Sequence, residues 1–129
     1  MTPRIDEAQL FLRLANDDRD AFHVLKIAPH IKLRILCFHA QQAVEKSLKA
    51  VMLLQEIPFR KTHDLNLLAN LIAESGLSLL YSPEDLTNLN PHSVTFRYDD
   101  IEIDTLTREE AESMMESIMR WATGLVPQE

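Results

Sequence analysis

The sequence has one cysteine, two glycines and no unbroken apolar run near the ~18–20 residues needed to cross a bilayer. A lone thiol, Cys37, excludes an internal disulfide framework and fits a reducing compartment. Scarce glycine, beside plentiful Leu, Ala, Glu and Met, favours helix over strand. Basic residues are the minority: 13 Lys and Arg stand against 20 Asp and Glu, a formal net charge of −7. Nonspecific nucleic-acid binding needs a cationic surface that releases counterions, so any such surface here is local. The opening MTPRIDEA lacks an apolar signal core, and the expectation is a cytoplasmic protein with no membrane role. At 129 residues the chain fits one domain, 1–129, able to bury about two thirds of its unfolded surface.

What the chain does contain is helical periodicity. Residues 5–27 place Phe11, Leu14, Ala15, Phe22 and Leu25 on one face at about 100° per residue. Asp18 falls inside that apolar arc. Pro29 ends the segment. The longest predicted helix, 33–56, has an apolar arc of Leu36, Ala40, Ala43, Val44, Ser47, Leu48, Val51 and Leu54, closed by Pro58. A third helix is predicted from a Thr62 cap, with Asp64 in its first turn and Gly76 past its end. Ser82-Pro83-Glu84-Asp85 starts a fourth, with a restart at Asn90-Pro91 and an end near Tyr98. Asp99–Asp104 reads as a solvated acidic connection able to dock a basic partner. A last helix, Thr107–Thr123, buries Ala111, Met114, Met115, Ile118, Ala122 and Leu125. No segment reads as a strand. Short links between amphipathic helices predict an all-α antiparallel bundle of four to five helices.

The candidate site lies on the second helix, in FHAQQAVEKSLKA (Phe38–Ala50). Measured from Phe38, His39 falls at about 100°, Gln42 at about 40°, Lys46 at about 80° and Lys49 at about 20°. One stripe beside the apolar arc thus gathers two ammonium groups, an imidazole and an amide, a set suited to phosphate. The alternative is that the lysines cover the core with their stems and keep their heads in water. Asp18 adds a third account. A carboxylate in an apolar arc is costly to bury unpaired, and Lys46 or Lys49 is its nearest partner. Cys37 reads as a small buried residue, and the histidines show no zinc-ligand spacing, so no metal or cofactor is expected.

FHAQQAVEKSLKA, THDL at Thr62–Leu65 and FRYDD at Phe96–Asp100 together resemble the HEPN domain family, as does LANDDRDAFHVL at Leu14–Leu25. The resemblance covers nearly the whole chain, and Asp18 sits where these proteins commonly carry an aspartate. It implies a helical bundle, usually a symmetric homodimer. Many members are encoded beside a minimal nucleotidyltransferase and bind it, often as a toxin–antitoxin pair. The family's name records a proposed nucleotide-binding role. On that basis His39, Gln42, Lys46, Lys49 and Arg97 are the expected nucleotide or RNA-phosphate contacts, supported by Asp18, His63, Asp64 and Tyr98.

One branch of the family consists of metal-independent ribonucleases, marked by an arginine and, after four to six residues, a histidine near the start of the last helix. Arg97 is the matching arginine, but Glu102, Ile103 and Asp104 follow at that spacing, and no histidine comes after His92. Carboxylates there repel phosphate instead of moving a proton. Arg34 and His39 also match the spacing, yet five helical positions turn the chain through about 500°, leaving the two side chains about 140° apart. Only two copies together bring them onto one phosphate. The leading expectation is therefore a noncatalytic partner of a nucleotidyltransferase that holds a nucleotide or RNA phosphate. The alternative is an endoribonuclease toxin pairing Arg97 or Arg34 with His39 or His63. A third is a purely structural, dimeric interaction module.

Overall fold

The computed structural model describes residues 4–91 and 94–129, with the backbone alone at 95–98 and 102. The element order is α1 (Ile5–Leu25), α2 (Leu33–Leu54), α3 (Leu65–Glu74), α4 (Pro83–Thr87), β1 (Thr95–Tyr98), β2 (Ile101–Asp104) and α5 (Arg108–Leu125). The fold is an all-α bundle with one small hairpin set into it. Helix α2 is its axis, packing against α1, α3 and α5. From Ser47 to Leu53 every residue of α2 is buried, so this stretch lacks the single apolar stripe of a surface helix. Helices α1 and α5 run in opposite directions: Gln9 meets Pro127, Arg19 meets Glu116 and Lys26 meets Glu112. No helix among the described residues is long and apolar enough to cross a membrane.

The ends of the helices follow local chemistry. Helix α2 begins at Lys32 with no side-chain cap and no acid in its first turn. It ends at Leu54, and just past it Glu56 is left-handed, with a φ of 57°, while the Ile57 amide bonds back to the Met52 carbonyl at 2.9 Å. That closure is normally made with glycine. Helix α3 is capped by Asp64, whose carboxylate accepts from the Asn66 and Leu67 amides. The expected cap, Thr62, instead accepts from the Asp64 amide. Gly76, at φ 95°, lies just past the end of α3 as anticipated. Helix α5 opens with a Thr107–Glu110 capping box and buries Met119 along with the expected residues, while Leu125 is half-buried.

The stretch after α4 departs from expectation. Ser82 and Asp85 form a capping box with Pro83 in the first turn, but the helix stops at Thr87 and does not run on to Tyr98. Thr95–Tyr98 and Ile101–Asp104 pair as an antiparallel hairpin, Thr95 opposite Asp104 and Arg97 opposite Glu102. Asp99 and Asp100 both have positive φ, 49° and 63°, as a two-residue hairpin turn requires. Aspartate tolerates that region better than most residues. The acidic run is therefore a two-residue turn followed by a four-residue strand.

Candidate functional site

Two carboxylates organise the polar stripe of α2. Lys46 Nζ donates to Asp18 Oδ2 at 2.5 Å, and His39 Nδ1 lies 3.1 Å from Asp18 Oδ1. One turn further along, Lys49 Nζ donates to Glu45 Oε2 at 3.1 Å and to the Thr62 carbonyl at 2.6 Å. His63 Nδ1 sits 3.0 Å from Glu45 Oε1. Asp18 thereby fastens α1 to α2, and Glu45 fastens α2 to the segment leading into α3. The carboxylate foreseen in the apolar arc of α1 does take Lys46, and it takes His39 as well. Lys49 goes to Glu45, which is buried although helical periodicity leaves it outside the apolar arc. The cover comes from the 55–64 connection, so only tertiary packing exposes this pair to view.

Of the expected residues, His39, Lys46, Lys49 and His63 fall in two closed ion clusters instead of a free positive row, and Gln42 belongs to neither. His39, Gln42 and Lys46 are half-buried, Lys49 is buried, and His63 is exposed. Asp64 is engaged in capping α3. Arg97 and Tyr98 lie outside the residues whose side chains are described. An anion arriving at Lys46 or Lys49 has to displace a partly or fully buried carboxylate, and breaking such pairs is costly. A third cluster repeats the arrangement: Glu116 accepts from Arg19 at 2.7 Å and lies 2.8 Å from His23 Nε2. Burial pushes the Glu116 carboxyl up, but the Arg19 and His23 bonds outweigh it and hold the group below its ordinary value. Arg19 is raised in turn, first by its bond to Glu116. Burial, with a contribution from Asp104, pushes the Cys37 thiol up to about 11, which leaves it protonated and unreactive.

A freer set of cations lies at the other end of α2. A cleft of about 520 Å³ is lined by His30, Lys32, Arg34 and Arg108 with one carboxylate, Asp104. Arg108 is the first residue of α5 and donates to the Ile31 carbonyl, so the amino termini of α2 and α5 meet here. Helix amino termini carry partial positive charge and unpaired N–H groups. Arg34 is exposed and lines this cleft without His39, which Asp18 holds elsewhere, so the Arg34/His39 pair does not form within one chain. The sequence signal for this cleft is a helix start, IKLR, with bases where a first turn ordinarily carries acids. No cluster of metal-ligating side chains occurs among the described residues.

A five-helix bundle with a hairpin before its last helix, and an α1 aspartate clasping an α2 lysine, is the setting in which the comparisons with known proteins fall. The HEPN domain family matches residues 8–123, and the chain belongs to that family. It is also similar to a Methanocaldococcus jannaschii protein described as "Putative toxin MJ1304", at 34% identity over 87 residues. That alignment takes in 67% of this chain and 55% of the relative, so the chain spans about half of the relative's length. No solved structure matches.

Proposed function

We propose that this protein is the noncatalytic HEPN component of a two-component, toxin–antitoxin-like system, pairing with a minimal nucleotidyltransferase and holding a nucleotide or RNA phosphate. Family membership and a relative described as a toxin support the system. The observation that carries the phosphate role is the cleft where three permanent cations and two helix amino termini face one carboxylate, in a chain of net charge −7. Arg34 and Lys32 are the preferred phosphate contacts, because no internal carboxylate has to be displaced from them as from Lys46 and Lys49. Asp18 and Glu45 then serve His39, Lys46, Lys49 and His63 as framework. Gln42 and Arg97 remain candidate secondary contacts. A second copy covers the outward apolar residues Leu10, Leu14 and Val24 of α1 and Ile35 and Phe38 of α2, all exposed.

One observation favours a second reading, an endoribonuclease. His30 lines the same cleft as Arg34 and Arg108, which sets an imidazole beside guanidinium groups that steady a phosphate. Titration of a short labelled RNA, followed by anisotropy and then by gel, separates the two. Retention of intact RNA, with salt-dependent affinity that falls about tenfold or more in Lys32→Ala/Arg34→Ala, supports the noncatalytic role. Cleavage that disappears in His30→Ala supports the enzyme. Absence of binding removes the phosphate role. Copurification with the nucleotidyltransferase encoded alongside, on coexpression, tests the partnership.

A further inference from the structure

A second cleft opens at the carboxyl end of α2, and it shares no lining residue with the cleft assigned to phosphate above. Its volume is about 870 Å³, within the range of small-molecule sites, about 300–1,000 Å³. Phe11, Met52 and Phe59 supply apolar wall, and Arg4, Lys49 and Lys61 supply positive charge. Glu56 is the one carboxylate among the lining residues.

The three cations differ in how far the protein already uses them. Lys49 is buried, with its Nζ 6.0 Å from the centre of the Phe59 ring. An ammonium has three donors, and two of these go to Glu45 and Thr62. Arg4 meets Glu7 at 3.8 Å with both side chains more than half exposed, a pair of little strength. Lys61 is exposed and has no ion pair among the described residues. A predominantly apolar wall excludes a polyanion such as RNA, whose charge repeats along its length. A wall with three cations at a net-acidic surface equally disfavours a neutral apolar ligand. What complements both is a compact apolar body with one anionic head.

We infer that the cleft between Phe11, Phe59 and the Lys49–Lys61 pair binds a small amphipathic anion, with the apolar body against the two aromatic rings and the head at Lys61 and Arg4. Such a ligand has two sources, a nucleoside monophosphate or a medium-chain carboxylate, which share this chemistry.

The test uses the full chain and the dye 8-anilinonaphthalene-1-sulfonate, itself a small amphipathic anion. The expected result is saturable binding of one equivalent by the native protein, weakened about fivefold in Lys61→Glu and unchanged in Arg120→Glu, an exposed charge on α5. Lys61 is on the surface, so its reversal keeps the fold, and an unaltered circular dichroism spectrum checks that. Displacement of the dye by adenosine monophosphate assigns the nucleotide source, and displacement by decanoate the acyl one. Failure of the dye to saturate, equal affinity in Lys61→Glu and Arg120→Glu, or displacement by neither competitor overturns the inference. None of these outcomes depends on the RNA experiment at the opposite end of α2.

Discussion

At the scale of single residues, the molecule repeats one device: a carboxylate clasped by a cation and by an imidazole. Asp18 does this for Lys46 and His39, Glu45 for Lys49 and His63, and Glu116 for Arg19 and His23. Replacing Asp18 with Asn leaves Lys46 without its counter-ion in a site only a quarter open to solvent. A loss of about 1–3 kcal/mol of stability is expected, measured by urea denaturation. Asp18→Asn/Lys46→Met should restore much of it, since removing both charges leaves nothing unpaired. Glu116 makes a prediction in pH. Its carboxyl lies below the ordinary 4.5 in the folded protein, so its stabilising effect is full above that value and fades as pH falls through the folded one. Glu116→Gln should be less stable than the parent at neutral pH, and the gap should close in acid. The Asp18 clasp was legible in the sequence because a carboxylate in an apolar arc demands a partner. Glu45 was not, because what buries it is a connection folded over from elsewhere in the chain.

At the scale of elements, helix limits were legible wherever a cap and a breaker agreed, as at Ser82-Pro83, Thr107 and Gly76. The hairpin was not. Its strands, TFRY and IEID, are four residues each, too short for alternation to outweigh the helical signals on either side. Its turn is built from two aspartates where glycine or asparagine is the usual marker. The same fact yields an expected gain. Asp99→Asn/Asp100→Gly places residues suited to positive φ at 49° and 63° and should stabilise the protein by about 1 kcal/mol, read as a rise in melting temperature. Conversely, Asp64→Ala removes the cap of α3 and should cost about 1 kcal/mol, because the Asn66 and Leu67 amides lose their acceptor.

At the scale of the whole molecule, the proposed homodimer rests on the outward apolar residues of α1 and α2. Leu10, Leu14 and Val24 recur at helical spacing on α1, and Phe38 of α2 is 47% exposed. If a second copy covers this face, Phe38→Glu should convert a dimer into a monomer in light scattering after size exclusion, with helical content kept. A parent protein that is already monomeric excludes the homodimer.

Helix α2 is 22 residues long, about 33 Å from end to end, and one cleft opens at each of its tips. In physiological salt that distance is about four Debye lengths. Occupancy of one mouth therefore exerts no appreciable field at the other, and a rod buried on all sides from Ser47 to Leu53 transmits little bending. The two proposed guests, a polymer phosphate at one tip and a small amphipathic anion at the other, should load additively, each blind to its neighbour.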